Sequence, residues 1–198
     1  MNHATTRTHL AIASLLTLTL LALTAVPAAA GGVWRAKNAE DVAIRLTNCI
    51  RSGGHVTKAG KCKGWGKGNY SKAQPLLKRS ARISNEVSAP WAKKSVQFYG
   101  TRRCWIGHSK NGSTVDKRFA AASLKHIANG ENMGCGMYGT GKQSVIRIVR
   151  MWQAEKAWRG PHWKQIKNGK FASVGVGVAR YGSRKTQIVM NFYGRKVN

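Results

Sequence analysis

Acidic residues are scarce in this chain, in which six Asp and Glu stand against 34 Lys and Arg. A protein this basic adheres to polyanions whether or not it evolved to do so, so charge alone does not define a partner. Two of the six acids, Glu131 and Glu155, nevertheless lie in apolar, aromatic stretches, and each has a histidine flanking its motif. Because a carboxylate is costly to bury without partners, these two residues are the first place to look for function.

Several sequence signatures of enzymes are also missing. The chain contains no HExxH zinc-protease motif, no GxxxxGK[ST] phosphate loop and no GxSxG nucleophile elbow. It therefore carries no established protease signature. A CxxC pair is missing too, so nothing argues for a redox or metal role of paired thiols.

Only the N-terminus contains an apolar run long enough to concern a membrane. Residues 10–26 are apolar apart from Ser and Thr, Arg7 precedes them, and Ala28 to Ala30 follow. This pattern predicts an export signal peptide over residues 1–30, with the mature chain starting near Gly31. A membrane anchor is the alternative, but the run is short and is followed by Pro27 rather than by a basic cluster. We therefore expect a secreted, extracellular protein.

Residues 31–198 are enough for one domain with its own core and too few to suggest two. In an oxidising compartment, an even number of cysteines favours two disulfides over metal ligation or thiol catalysis. The four residues are Cys49, Cys62, Cys104 and Cys135. Proximity alone favours a bond between Cys49, on a predicted helix, and Cys62, in the Gly- and Lys-rich loop that follows.

Hydrophobic periodicity predicts four helices. They cover about 38–53, 80–99, 116–125 and 142–158. Asn38 is expected to cap the first, Gly53 to end it, and Pro90 to interrupt the second. In the fourth, Glu155 falls on the apolar face, three residues after Trp152.

The C-terminus has the clearest β pattern in the chain. Valines at positions 174, 176 and 178 alternate with Gly and Ala, and apolar residues at 188, 190 and 192 alternate on a return strand. Gly182 and Ser183 supply the turn between them. Helices followed by such a hairpin indicate an α+β fold.

Two histidine–glutamate pairs form the candidate site. His108 lies in CWIGHS, Glu131 in NGENMGC, Glu155 in MWQAEKAW and His162 in GPHWKQIKN. In one cleft, two carboxylates could neutralise two protonated imidazoles or orient neutral imidazoles for a divalent metal ion. The four are called the tetrad below.

This ordered set of motifs resembles the CAP superfamily, which includes cysteine-rich secretory proteins, insect venom allergens and plant pathogenesis-related proteins, and it is most similar to the compact bacterial members. The matching segments are Cys104-x-x-x-His108-Ser109, Gly130-Glu131-Asn132, Trp152-x-x-Glu155, and His162 followed by Ile166, Asn168, Phe171 and the valine strand. The resemblance covers about residues 39–194. It implies a three-layer α-β-α sandwich around a small central antiparallel sheet, with the tetrad lining one cleft.

Two segments depart from the family pattern. Animal and plant members carry an aromatic-Thr-Gln sequence after the second histidine, whereas this chain has Trp163-Lys164-Gln165. The Gly- and Lys-rich loop around Trp65 matches no part of the family.

The family is better known for binding and for host- or environment-directed roles than for a settled reaction, so the resemblance implies a secreted binding or interaction module before an enzyme. A metal-assisted hydrolase is the alternative: His108, His162 and one glutamate would hold Zn²⁺ while the other glutamate acts as general base. A cationic wall- or membrane-active protein is a third interpretation, which rests only on charge.

For a metal, we expect His108 and His162 to be the direct ligands of Zn²⁺, because imidazole is the commonest protein ligand for it. Glu131 and Glu155 would accept the other ring N–H, or one of them would bind the metal directly. The expected affinity is modest, and the fold should survive metal removal. We also expect Cys104 to pair with Cys135, which would tie the segment of His108 to that of Glu131.

The expected partners follow from export and charge. Without Arg7, 33 basic residues stand against six acidic ones, a net charge of +27. An exported protein meets anionic wall polymers and phospholipid surfaces first, and nucleic acid is expected to bind only non-specifically. A small lipophilic ligand is a further candidate. A solvated cationic surface that keeps the protein soluble is the alternative explanation of the charge.

Overall fold

A computed structural model describes residues 32–124, 128–137 and 139–195. The predicted signal peptide over residues 1–30 and the expected mature start at Gly31 lie outside them.

The helices are α1 (Lys37–Arg51), α2 (Ala89–Ser95), α3 (Val115–Ala121), α4 (Gly141–Ala154) and α5 (Pro161–Lys167). The strands are β1 (Val33–Arg35), β2 (His55–Val56), β3 (Cys62–Lys63), β4 (Lys78–Arg79), β5 (Asn129–Gly136), β6 (Ser173–Tyr181) and β7 (Lys185–Tyr193). A π-helical segment, Ile83–Ser88, precedes α2, and a 3-10 turn, Glu155–Trp158, follows α4. None of the described helices is both long and apolar enough to cross a membrane.

The main sheet has the strand order β1-β6-β7-β5, and β4 pairs in parallel with β6. β6 and β7 form the antiparallel hairpin that the valine alternation predicts, with Val176 opposite Met190. Helices α1, α4 and α5 cover one face of the sheet, and the π-helical segment and α2 cover the other. This architecture confirms the α+β fold with helical layers on both sides of a central, mainly antiparallel sheet.

Each face of the sheet has its own apolar core. On the α1/α4 side, Leu46 and Val149 pack with Met190, and all three are fully buried. On the α2 side, Trp91 packs with Val189. Burying each such side chain contributes roughly 1.5–3 kcal/mol relative to leaving it exposed, so the sheet is held from both faces.

The ends of three predicted helices differ from the expectation. Helix α1 follows Ala36, which makes no side-chain cap, so Asn38 lies in the first turn rather than capping it. The π-helical segment runs directly into α2, so Pro90 lies in the first turn of α2 and does not end the helical stretch as expected, although the change from π to α geometry occurs one residue before it. Helix α3 ends at Ala121, and the predicted end at Lys125 lies outside the described residues.

Strand β5 carries Glu131 and was not predicted from the sequence pattern. Three glycines in eight residues lower the strand propensity of this segment and hide it from pattern analysis. A Cβ atom at Gly134 would lie 2.3 Å from the Ile148 side chain, and one at Gly130 would lie 2.3 Å from Gln165 Oε1. These glycines therefore let α4 and α5 approach β5 closely.

Both predicted disulfides are present. Cys49 is bonded to Cys62, which anchors the Gly- and Lys-rich loop to α1. Cys104 is bonded to Cys135, which ties the loop that carries His108 to β5.

Several buried or half-buried cations are held by backbone carbonyls rather than by carboxylates. Arg51 donates to the carbonyls of four residues, Pro75, Ile166, Asn168 and Phe171. Lys167 Nζ donates to the carbonyls of Ile50, Arg51 and Lys72 and to Ser71 Oγ. Burial lowers the pKa of Arg51 to about 10, and burial together with nearby Arg51 and Lys156 lowers the pKa of Lys167 to about 8.

The lowered pKa of Lys167 predicts how stability changes with pH. In the unfolded chain a lysine keeps its proton up to about pH 10.4, whereas Lys167 in the fold begins to lose it near pH 8. Between these values the unfolded state binds more protons, so the contribution of Lys167 to the free energy of unfolding rises with pH. Urea unfolding of Lys167→Met should lose this rise, whereas Lys170→Met, at an exposed lysine three residues away, should keep it. If the free energy of unfolding of the two variants changed with pH in the same way, the lowered pKa of Lys167 would be contradicted.

Candidate functional site

The first pair joins the loop before α3 to β5. His108 Nδ1 lies 2.9 Å from Glu131 Oε1. The imidazole is half exposed, whereas the glutamate side chain is only 1% exposed. The second carboxylate oxygen, Oε2, accepts from Arg118 Nη2 at 2.6 Å and from Asn191 Nδ2 at 2.9 Å. Both oxygens of this buried carboxylate therefore have partners, as burial of a charge requires.

Arg118 supports this pair from α3. Its guanidinium lies 4.2 Å from the centre of the Trp91 ring, and its Nη1 donates to the backbone carbonyl of His108. It thus binds both the carboxylate and the loop that carries the imidazole. Sequence analysis missed Arg118 and Asn191, because one arginine among many gives no signal and Asn191 meets Glu131 only through strand pairing.

The second pair is built where α4 ends and α5 begins. His162 Nδ1 lies 2.5 Å from Glu155 Oε1. The other oxygen, Oε2, accepts the backbone N–H of His162 at 2.8 Å and that of Trp163 at 3.3 Å. The carboxylate thus satisfies N–H groups in the first turn of α5, whose preceding residue, Gly160, offers no side-chain cap. Glu155 therefore orients both the helix start and the imidazole on it.

An aromatic contact fixes the plane of the second imidazole. The ring of His162 stacks on that of Trp152, with centres 5.4 Å apart and planes 18° apart. Trp152 itself is buried in the core of α4, so the stacking surface is rigid. The imidazole is consequently held on one edge by a carboxylate and on one face by an indole.

The two pairs are supported from opposite faces of edge strand β5. Glu131 and Asn191 face the π-helical segment, where Ser88 Oγ donates to Asn191 Oδ1. The next residue, Asn132, faces α5 and donates from Nδ2 to the carbonyl of His162 at 3.1 Å. Successive residues of one strand thus connect to the two pairs, as side-chain alternation requires.

The geometry leaves one nitrogen of each imidazole for a ligand. Each Nδ1 is engaged by a carboxylate, and within residues 32–124, 128–137 and 139–195 neither Nε2 has a hydrogen-bond partner. The same part of the chain contains no group of three or more His, Cys, Asp or Glu side chains arranged to hold a metal ion. The tetrad is therefore two separately oriented imidazoles rather than one cluster of four ligands.

The side-chain oxygen of Asn132 is a further hydrogen-bond acceptor next to the second pair. Its Oδ1 is buried and lacks a hydrogen-bond partner among the described groups. Buried polar atoms are nearly always satisfied, so this oxygen suits a water molecule or a polar ligand group next to His162.

The comparison with known families and structures gives one clear assignment. A profile of the cysteine-rich secretory protein family, CAP, matches residues 44–193. Among solved structures, the chain is similar to an extracellular protein containing an SCP domain from Bacillus anthracis str. Ames, with a TM-score of 0.54 and 18% identity over 80% of this chain and 41% of that chain. It is also similar to BmVAL-1, with a TM-score of 0.48 and 17% identity over 82% of this chain and 80% of that one. Among curated proteins no match is found. The chain spans less than half the length of the Bacillus protein and is only 18% identical to it, so that structure supports the fold alone.

Proposed function

This chain belongs to the cysteine-rich secretory protein family, CAP, and from that premise we propose that it acts outside the cell as a binding module. In this proposal the Nε2 atoms of His108 and His162 are the protein ligands of a divalent transition metal ion, with Zn²⁺ the best match to imidazole donors. The predicted signal peptide and the extracellular description of the Bacillus protein support the location.

One observation carries the proposal: each imidazole is held by a carboxylate at Nδ1. A carboxylate that accepts the Nδ1–H fixes the neutral ring with its lone pair on Nε2 and makes that nitrogen more basic, which is how metal-binding histidines are usually prepared. When bound, the metal would supply an electrophilic centre for an anionic or carbonyl-bearing ligand.

The donor set fits a weak, exchangeable metal site. Among the residues that the structure describes, no third ligand accompanies the two imidazoles, so most coordination positions are left to water or to a bound ligand. Half exposure of His108 gives solvent access to the site. The side chains of His108 and His162 are both partly exposed rather than part of the buried core, so the fold should survive removal of the metal.

The same contacts weigh against a hydrolase. That mechanism needs two histidines and one glutamate on the metal and a second glutamate with an available oxygen as base. In each glutamate here, both carboxylate oxygens already accept hydrogen bonds. The geometry therefore favours binding over metal-assisted hydrolysis.

Side-chain NMR of ¹⁵N-labelled protein tests the placement of the metal. Zn²⁺ should shift the Nε2 signals of His108 and His162 and leave their Nδ1 signals protonated. His55 is the internal control, because an amide rather than a carboxylate contacts its Nδ1. Shifts confined to His55, or the same shift at every histidine, would contradict the placement.

A further inference from the structure

The Gly- and Lys-rich loop, residues 53–70, forms a small site of its own. Its strands β2 and β3 pair so that His55 lies opposite Lys63 and Val56 lies opposite Cys62. Directly opposed residues project to the same side of a strand pair. Val56 and the Cys62 disulfide face the core, so His55 and Lys63 share the outer side.

A pocket opens on this outer side. Its volume is about 260 Å³, which is smaller than the roughly 300–1,000 Å³ of most small-molecule sites and therefore suits a compact ligand. The lining residues are Gly53, His55, Lys63, Gly64, Asn69 and Tyr70. Apart from the two glycines and the Tyr70 ring, each of them brings an N–H donor in its side chain.

The buried amide of Gln153 fixes the tautomer of His55. Gln153 Oε1 accepts the backbone N–H of Val56 at 2.7 Å, so its NH₂ group must be the part that lies 3.0 Å from His55 Nδ1. An NH₂ group can only donate, which makes Nδ1 an acceptor and places the ring proton of neutral His55 on Nε2. His55 therefore presents an N–H donor on the ring edge away from Gln153.

The charge around the pocket has one sign. Between Asp41 and Glu86 every charged residue is Lys or Arg. Lys63 lines the pocket, and Lys156 lies over the Tyr70 ring, with its Nζ 3.9 Å from the ring centre. Helix α4 contains no Asp or Glu, and both oxygens of Glu155, directly after it, are engaged at α5. Within the described part of the chain, the side-chain donors of His55 Nε2, Lys63 and Asn69 have no acceptor partner. Such donors next to cations match an oxyanion.

We propose that this pocket binds the phosphate group of a small phosphate ester or of free phosphate. A phosphate monoester carries about two negative charges near neutral pH and accepts hydrogen bonds from several directions, whereas a carboxylate carries one charge. Lys63 supplies the charge, and His55 Nε2 and the Asn69 amide supply neutral donors. This site is separate from the tetrad and goes beyond the metal-binding role.

NMR titration of the purified protein with glycerol 3-phosphate, inorganic phosphate and glycerate tests the proposal. Both phosphates should shift signals of His55, Gly64 and Asn69, and the tighter of the two identifies the natural form of the ligand. Lys63→Gln should weaken glycerol 3-phosphate binding about tenfold, the loss of one charge-assisted hydrogen bond. Lys67→Gln removes the same charge from the same loop outside the pocket and should weaken it less than about twofold.

Three outcomes would overturn the proposal. An equal loss in the Lys63 and Lys67 variants would mean that overall charge attracts the anion. Glycerate binding as tight as that of glycerol 3-phosphate would exclude phosphate selectivity. Unchanged signals of His55, Gly64 and Asn69 would exclude the pocket. The His108→Ala substitution, which should remove the zinc site, should leave phosphate binding at this pocket unchanged. Failure of one proposal therefore does not decide the other.

Discussion

Replacing Arg51 with Met should lower the free energy of unfolding by about 3–5 kcal/mol. The guanidinium is fully buried and donates to Pro75 O at 2.7 Å, Ile166 O at 2.7 Å, Asn168 O at 2.9 Å and Phe171 O at 3.2 Å. Met fills similar space but leaves these carbonyls without a donor, and an unsatisfied buried acceptor costs about 1–3 kcal/mol. The losses are not additive, because part of this segment can relax toward water.

Arg45→Met is the matched control on the same helix. Arg45 is exposed and donates through Nη2 to a single carbonyl, that of Gly60, at 3.2 Å. Its loss should cost less than about 1 kcal/mol. Urea unfolding measures the free energy of unfolding of both variants. Arg51→Lys keeps the charge but loses the planar guanidinium, so its free energy of unfolding should lie between those of the two Met variants. Equal midpoints for the two Met variants would show that the carbonyl network does not stabilise the fold.

The Arg51 network also bears on the site. Ile166 and Asn168 lie at the end of α5, where helix carbonyls have no partners of their own, and a cation there also interacts favourably with the negative end of the helix dipole. His162 lies in the first turn of the same helix. Arg51 therefore anchors one end of α5 while Glu155 anchors the other, and the imidazole between them is held in place.

Features that depend on the local spacing of apolar residues could be predicted from the sequence. The alternation of Val176 and Met190 predicted the hairpin, and the position of Glu155 after Trp152 predicted a carboxylate among apolar residues. Both signals are local, because a strand or helix imposes its own period on the sequence. The family motifs added the order of the tetrad and the architecture of the fold.

Residues that act through distant partners were not predictable. Arg51 finds its carbonyls more than twenty residues away, and Arg118 reaches Glu131 through the packing of α3 against β5. Strand β5 was hidden because its glycines serve helix packing rather than strand propensity. The tetrad was predicted as two histidine–glutamate pairs, but their support from opposite faces of β5 depends on side-chain alternation in that hidden strand.

Removing either imidazole of the tetrad should abolish most zinc binding. A site with two protein ligands loses half of them in one substitution, so we expect the affinity to fall at least about tenfold for His108→Ala or His162→Ala. Affinity should also fall as the pH is lowered, because protons compete with the metal for the imidazoles. The thermal stability of the metal-free protein should change little in either variant, since both imidazoles are partly exposed.

The carboxylates should influence zinc binding indirectly. Glu131→Gln retains the shape of the side chain but removes the charge that holds His108 Nδ1, and loss of such a supporting carboxylate typically costs about 10–100-fold in metal affinity. It also leaves Arg118, whose side chain is only 9% exposed, without its counter-ion. Unlike the histidine variants, Glu131→Gln should therefore lose both zinc affinity and stability.

Calorimetric titration of Zn²⁺ at about pH 7.5 into the wild type, His108→Ala, His162→Ala and the control His55→Ala tests the central claim most directly. We predict modest binding by the wild type and by His55→Ala, and at least about tenfold weaker binding by both tetrad variants. Equal binding by all four proteins would contradict the claim, because the metal would then be held elsewhere and the carboxylate-held imidazoles would have a structural role.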